Sequence, residues 1–361
     1  MKPFFSIVIP CCNVESYIEE CLLSILNQPF QDWECLTVVE TSRDNTERIV
    51  KEFAKKDDRF HFYLQPRSGS ASIARNVGLD HAKGKYVIFV DGDDYIFENS
   101  LEKLAEKISS HPDADLYPCA VMFHDTRTGR EDIWDNFRAE DPMEMTGSEA
   151  IKLFLHRRPP SFITFSNVLR REFLNQNKLR FVPRMKFQDT ELLPRAWFLA
   201  KRIVPIHELY YFYRIRNNSA TTSNPKSGTI LFHCAKRVYN LCVFYMDASR
   251  KGTPDPIVTA VWKKWIISVI YTRWFYPWAI QRIPRKRRVC ALCHVFQNPD
   301  VSCFLAEKAS FPQKVKLFFV LLSVRHPTCG AWISDVYFLS YYQLVKIRDS
   351  IKKFLLIVLK I

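Results

Sequence analysis

No apolar stretch in this chain reaches the ~18 residues that a membrane-spanning helix needs. The longest candidates are Leu317 to Val324 and Phe354 to Leu359. Met1 to Pro10 holds too short an apolar run for a secretory signal, so a protein in solution or on a membrane surface is expected. No G-x-G-x-x-G follows the first apolar segment, which argues against a dinucleotide-binding oxidoreductase. No helix-turn-helix or zinc-finger spacing stands out, and there is no internal repeat or low-complexity tract. The eleven cysteines are odd in number and irregularly spaced. Cys11, Cys12, Cys21 and Cys35 lie in or beside apolar segments, where a free thiol behaves as a small hydrophobe. A reduced, cytoplasmic protein is the expectation. Cys290-Ala-Leu-Cys293-His294 matches the haem-attachment pattern. It follows the basic run Arg285 to Arg288 with no secretory signal, and is read as a chance match.

What is present is globular and basic. Of 361 residues, 47% are hydrophobic and 25% charged, enough for one large or two ordinary domains. The net charge of +14 favours an anionic partner: nucleic acid, a nucleotide or an anionic membrane. Apolar runs and helical spacings alternate. Strands are expected at Phe4 to Ile9 (stopped by Pro10), Trp33 to Val39, Arg59 to Leu64, Tyr86 to Val90 and Asp115 to Phe123. Helices are expected over Glu15 to Leu26 (with Asn13 as N-cap), Glu47 to Lys55, Ser72 to His81, Ser100 to Ser109 and Ser148 to His156. This alternation predicts an α/β domain, doubly wound on a mostly parallel sheet. The alternation stops near Thr222. A catalytic domain over 1–222 is therefore expected, followed by a helical, basic, aromatic-rich region over 223–361.

One stretch organises the rest. Lys85-Tyr86-Val87-Ile88-Phe89-Val90 runs into Asp91-Gly92-Asp93-Asp94, a buried strand ending in three carboxylates. In open α/β sheets ligands bind at the carboxyl ends of the strands. Carboxylates so close repel one another, and a hard divalent cation, with substrate phosphates, relieves that. The plain alternative is an acidic turn, since Asp and Gly favour turns. A haloacid-dehalogenase-type phosphotransferase also begins from strand-D-x-D. That class wants Thr or Val after the second Asp and the strand first in its domain, and neither holds here.

Several segments in order resemble family 2 glycosyltransferases of the GT-A fold, of the kind that build bacterial surface polysaccharides. Phe5 to Glu15 resembles the V-S-V-I-I-P-x-Y-N-x-E opening, and Ile25-Leu26-Asn27-Gln28 the S-I-L-x-Q segment. Val38 to Thr46 resembles V-D-D-G-S-T-D-x-T, and Ala74-Arg75-Asn76-Val77-Gly78-Leu79 matches A-R-N-x-G-L. Asp91 to Asp94 matches the D-x-D-D metal site. Leu179-Arg180-Phe181 with Gln188-Asp189 resembles G-L-x-F…E-D, and Tyr213 to Thr222 resembles Y-R-x-R-x-x-S-x-T. The likeness spans residues 4 to 222, with departures at Cys12 for Tyr, Val39-Glu40-Thr41 for D-D-G, and Gln188 for Glu.

The resemblance implies a nucleotide-sugar half over about 1–123 and an acceptor half over about 124–222. It implies an inverting hexosyltransferase, dependent on Mn2+ or Mg2+, moving sugar from a nucleotide-sugar, expected to be UDP-linked, to a saccharide acceptor at the cell envelope. Asp93 is then the direct metal ligand, Asp91 lies near the donor ribose or a metal water, and Asp94 supports them. Asp189 is the general base, against its reading as a helix N-cap. Pro10, Cys11, Glu40, Arg75, Asp91, Gly92, Arg214 and Arg216 line the nucleotide-sugar site. In it Glu40 takes a uracil N3–H and the two late arginines close over the diphosphate. For Glu40 the rival is a solvated loop carboxylate. For Arg75 it is a brace within the loop, and for Arg214 and Arg216 an ordinary basic surface.

In Leu344 to Ile361, apolar residues fall at helical spacing and Lys346, Lys352, Lys353 and Lys360 mostly elsewhere. This is an amphipathic basic helix suited to an anionic membrane face. With Arg285 to Arg288 and the aromatic segment Trp262 to Trp278, it suggests a peripheral position at the inner membrane surface and a lipid-linked acceptor. The alternative is packing on the catalytic domain. A degenerate transferase that only binds nucleotide-sugar, and a basic nucleic-acid-binding protein, stay open as rivals. Charge alone supports the latter, so no nucleic acid is expected.

Overall fold

The computed structural model describes residues 2–154, 157, 160, 162–216, 229–250, 255–259, 261, 262 and 266. The chain divides into two compact units, Met1–Ser223 and Asn224–Ile361. In the first, β1 (Phe5–Cys11), α1 (Ile18–Leu26), β2 (Trp33–Glu40), α2 (Thr46–Lys56), β3 (Phe60–Gln65), α3 (Ala71–His81) and β4 (Tyr86–Phe89) alternate along the chain. Then come β5 (Tyr95–Ile96), α4 (Ser100–Ser110), β6 (Leu116–Asp125), β7 (Arg130–Trp134), α5 (Gly147–Leu153) and β8 (Asn167–Arg170). The unit closes with α6 (Arg171–Gln176), α7 (Asp189–Leu199) and β9 (Ile206–Ile215). Of the second unit, α8 (Thr229–Arg250) is described, with Ala235, Val238, Leu241, Cys242 and Tyr245 buried. The basic run 285–288, the C-x-x-C-H match, the aromatic segment beyond Trp262 (except Ile266) and the 344–361 helix lie outside the described residues.

The strands form one sheet in the order β3-β2-β1-β4-β8-β6-β9-β5, with β7 beside β6. Its first half, β3-β2-β1-β4, is parallel. In the second half β4 and β6 both run antiparallel to β8, β5 antiparallel to β9 and β7 antiparallel to β6, while β6 and β9 are parallel. β1 and β2 are buried along almost their whole length and are mostly apolar, with Ser6, Glu34, Thr37 and Glu40 as buried polar exceptions. Helix α1 buries Ile18, Cys21, Leu22 and Ile25, a single face at helical spacing. Helix α3 lies so close to β1 that a Cβ on Gly78 would come within 2.3 Å of Val8.

Two local expectations are corrected. β1 continues through Pro10 to Cys11. Pro10 shares the parity of Val8, whose carbonyl accepts from Val90 N on the β4 side at 3.1 Å. The missing proline N–H therefore faces a side where β4 has already ended. Asn13 is not the cap of α1, which begins at Ile18 after Tyr17. Asn13 instead takes a positive φ of 52°, a conformation Asn tolerates. Its Oδ1 accepts from Arg43 N at 2.8 Å, and its N–H donates to Ser42 Oγ at 3.1 Å. It thereby ties the loop after β1 to the loop after β2.

Candidate active site

The parallel register brings Cys11 level with Val39, Glu40 level with Gln65, and Val8 level with Phe89. The ends of β1, β2, β3 and β4 therefore form one edge. Just past β4, residues 91–94 make a turn closed by Asp94 N donating to Asp91 O at 2.9 Å. Gly92 sits in close approach to the start of α1. A Cβ there would stand 3.2 Å from Val14, 3.3 Å from Ile18 and 3.4 Å from Cys11, so glycine lets the turn rest on the start of α1.

Each carboxylate of the turn has its own partner. Asp91 Oδ1 accepts from Arg75 Nη2 at 2.5 Å. Asp93 Oδ2 accepts from Arg216 through Nη2 at 2.6 Å and Nε at 2.8 Å. Asp94 is buried; its Oδ2 accepts from Tyr211 OH at 2.6 Å and its Oδ1 from Arg214 N at 2.8 Å. Tyr211 OH also accepts from Asp91 N at 3.1 Å. Burial, with Asp93 and Asp91 close by, pushes the Asp94 carboxyl well above the usual range. Burial and Asp91 raise Asp93 too, against the pull of Arg216. Burial drives the Cys11 thiol up as well, helped by Asp93 and Asp91, so Cys11 is an inert wall of the site.

Arg75 joins the two sides of the site. It is buried, and its Nη1 faces Gln188. With that amide turned so that its oxygen meets Nη1, the Gln188 nitrogen donates to Met185 O at 2.8 Å. Burial opposes the Arg75 charge, but Asp91 and Asp189 outweigh it and hold its pKa up. Asp189 is the first residue of α7, and Gln188 is the cap. Asp189 Oδ1 accepts from Thr190 N at 2.9 Å. The N-cap reading of Asp189 is thus off by one position, and the helix start places its carboxylate within electrostatic reach of Arg75.

Arg214 turns away from the acidic turn. Its Nη2 donates to Glu20 Oε2 at 2.9 Å, and its guanidinium lies 4.9 Å from the Tyr17 ring and 5.6 Å from the Tyr95 ring. Glu40 is buried rather than solvated. Its Oε1 accepts from Gln65 Nε2 at 3.1 Å and from Ser68 Oγ; its Oε2 accepts from Ser68 N at 3.2 Å and Gly69 N at 3.3 Å. A carboxylate has about four acceptor positions, so a nucleobase N–H would have to displace one of these donors. Cys12 sits nearby, its thiol raised by burial and by Glu40 and lowered by Arg67. The structure thus draws Asp91, Asp93, Asp94, Arg75, Asp189 and Arg216 together, and leaves Glu40 engaged with the loop after β3. Tyr211 and Glu20 are not among the residues that the sequence singles out, and Gln188 figures there only as a departure from the E-D element. Tyr211 stands in the aromatic run Tyr210 to Tyr213, where strand alternation is the one signal that separates it from its neighbours.

Asp91 and Asp93 offer hard oxygen donors. Among the described residues no group of three or more His, Cys, Asp or Glu side chains is arranged to hold a metal by itself. The donor set fits Mg2+ or Mn2+ bound by one or two carboxylates and completed by phosphate oxygens.

A parallel half-sheet with an acidic turn on its carboxyl edge, faced by a helix start bearing a carboxylate, defines a transferase of the GT-A fold. The model of Glycosyl transferase family 2 matches residues 6–177. The uncharacterized glycosyltransferase EpsJ of Bacillus subtilis is 31% identical over 250 residues, covering 68% of this chain and 70% of EpsJ. The chain belongs to Glycosyl transferase family 2 and is a glycosyltransferase. The minor teichoic acid biosynthesis protein GgaB of the same organism is 28% identical over 223 residues, which are 60% of this chain and 23% of GgaB. Among solved structures, S. aureus TarS 1-349 in complex with UDP superposes with a TM-score of 0.68 at 19% identity, covering 94% of this chain and 91% of that one. That likeness is one of fold. Among the described residues no helix is long and apolar enough to cross a membrane.

Proposed function

We propose that this enzyme transfers a sugar, with inversion, from a UDP-sugar to a hydroxyl of a growing surface polysaccharide, and that it needs a divalent cation. The observation that carries this reading is the Asp91–Arg75–Asp189 arrangement. It sets the acidic turn beside a second carboxylate suited to an acceptor hydroxyl. Asp93 and Asp91 would hold the cation, which would supply positive charge to the leaving diphosphate. Arg216 adds charge-assisted hydrogen bonds to the same diphosphate, and Arg214, held by Glu20, lines the approach. Pro10, Cys11 and Gly92 shape the floor. Glu40 reads the base by exchanging its bond from Ser68 for one from uracil N3–H. Asp189 takes the acceptor proton as the hydroxyl attacks. The teichoic acid role in GgaB's name and the UDP in the TarS complex support the acceptor and donor classes. The basic amphipathic pattern of residues 344–361 supports work at the inner membrane face on a lipid-linked acceptor.

The test is a thermal-shift screen against UDP, GDP, CMP and dTDP with and without Mn2+, followed by transfer assays. A ligand bound only by the folded state raises the midpoint. A Mn2+-dependent shift with UDP, abolished in Asp93→Ala, is expected. Asp189→Asn should keep that shift and lose transfer by about 10²–10⁴-fold. A Mn2+-dependent shift with another nucleotide overturns the uracil assignment. Asp189→Asn with undiminished transfer removes it as the base. Binding of UDP with no transfer to any saccharide favours the degenerate reading.

A further inference from the structure

The acidic turn sits on the carboxyl edge of the parallel strands. The opposite edge carries a second gathering of charge, which the reading above does not use. A cavity of about 360 Å3 opens there between Phe4 ahead of β1, Asp32 ahead of β2, Lys83 ahead of β4 and Arg171 at the start of α6. β1 is seven residues long, so at about 3.3 Å per residue the two edges lie about 20 Å apart. Five cations and three carboxylates line the cavity, an excess of two positive charges. Two of the cations are engaged. Lys85 Nζ pairs with Asp113 Oδ1 at 2.9 Å, and Arg170 commits its terminal nitrogens to Asp115 at 2.5 Å and Glu172 at 3.3 Å. The other three, Lys2, Lys83 and Arg171, have no carboxylate partner among the described residues. Arg171 is nevertheless fixed: its Nε donates to Gly84 O at 2.6 Å, and its main-chain N–H to Lys85 O at 3.0 Å. That grip leaves both terminal nitrogens of the guanidinium for a ligand. Main-chain bonds from Lys85 N to Pro3 O at 3.0 Å and from Phe4 N to Asp32 O at 3.1 Å tie the walls together, so the site is built before a ligand arrives.

Converging cations raise the local potential and draw an anion, and a guanidinium fork meets two oxygens of one phosphate. The remaining wall bears on what that phosphate is attached to. The Asp32 carboxylate has no hydrogen bond to a described residue. A carboxylate only accepts, so it repels a bare anion and suits a ligand with hydroxyl groups. Pro3 and Phe4 add apolar surface, and the volume, at the low end for small-ligand sites, exceeds what inorganic phosphate fills. We propose that this cavity binds a phosphorylated polyol of about the size of a sugar phosphate, with its phosphate on Lys2, Lys83 and Arg171 and its hydroxyls on Asp32. A free sugar phosphate and the phosphoglycerol headgroup of an anionic lipid share this chemistry. The site stands apart from the catalytic edge and does not depend on the cation reading.

Titration calorimetry of the full chain tests this, in EDTA so that no divalent cation reaches the acidic turn. The probes are glucose 1-phosphate, glycerol 3-phosphate, inorganic phosphate and glucose. Either ester should bind at a single site about tenfold more tightly than inorganic phosphate, and glucose should give no heat. Replacing Lys2 and Lys83 together by Gln, at exposed positions, should weaken the esters about tenfold and leave sugar transfer unchanged. Asp32→Asn should reduce the preference for ester over inorganic phosphate. Cosedimentation with vesicles of phosphatidylglycerol in phosphatidylcholine separates the sources. Vesicle binding that glycerol 3-phosphate competes away, and that the double Lys variant loses, assigns the lipid headgroup. Ester binding with no such competition assigns a free sugar phosphate. Wild type that binds neither ester and shows no competed vesicle binding overturns the proposal. So does ester binding that is unchanged in the double Lys variant and in Arg171→Gln. Inorganic phosphate bound as tightly as the esters, with no response to Asp32→Asn, overturns the polyol assignment.

Discussion

Replacing Arg75 by alanine should lower the stability of the first unit by about 3 kcal/mol. Arg75 is 5% exposed, with Asp91 at 2.5 Å, Gln188 on its other terminal nitrogen and Phe181 under its plane. Breaking a buried ion pair costs roughly 3–5 kcal/mol because the surviving charge is left uncompensated. The low end applies here for two reasons. The Asp91 side chain is 26% exposed and can recover water. Arg75 Nε is buried without a partner, so the substitution also removes one unsatisfied donor. For a domain of this size the loss corresponds to about 6–12 °C in the thermal midpoint. The Ala variant also frees Asp91 from the start of α7, and a displacement of about 1 Å in positioned groups costs on the order of 10²-fold in rate. Arg75→Lys keeps the charge without the fork and should recover part of the stability and little of the rate. Calorimetry of the full chain and transfer kinetics decide the matter. An Arg75→Ala protein that melts within about 2 °C of wild type and retains its kcat/KM would refute the view that this residue couples the two sides of the site.

Tyr211→Phe removes a donor to the buried Asp94 carboxylate and an acceptor for Asp91 N; a loss of about 2 kcal/mol in denaturant unfolding is expected, and a change under about 0.5 kcal/mol would contradict it. Asp57 is held below the ordinary carboxylate range by its bonds from Arg59. Its folded value lies under its unfolded one, so its contribution is complete above about pH 4 and is lost as pH falls through the folded value. The midpoint difference between wild type and Asp57→Asn should hence be constant above about pH 5 and shrink below about pH 4. The pair is partly exposed, and its worth is about 1 kcal/mol or less. A difference that does not change with pH would show that Asp57 acts through packing alone.

The strands up to Tyr86 were legible because buried parallel strands are predominantly apolar, as Ile7-Val8-Ile9 and Val87-Ile88-Phe89 are. The carboxylates were legible because a strand that stops in Asp91-Gly92-Asp93-Asp94 has few ordinary uses. What each carboxylate touches was not. Asp93 and Asp94 are adjacent, yet one meets a guanidinium and the other a tyrosine hydroxyl and a backbone N–H. Those partners lie at least 117 residues away. The burial of Glu40, which removes the rival reading of a solvated loop carboxylate, was not legible for the same reason. The donors that bury it, Ser68 and Gly69, sit on a loop whose return to β2 is set by the pairing of β3.

Local sequence thus determined the alternation of the first half, the carboxyl edge of the sheet and the chemical types gathered there. Periodicity and turn chemistry act over a few residues and need no partner. Only the tertiary structure decided that β8 enters between β4 and β6, that β9 runs back to hold Asp94 through Tyr211, and that Arg75 spans from Asp91 toward Asp189. These are contacts between charges and hydrogen-bonding groups far apart in the chain. Burial selects their partners, and burial is a property of the packed sheet that no single segment carries.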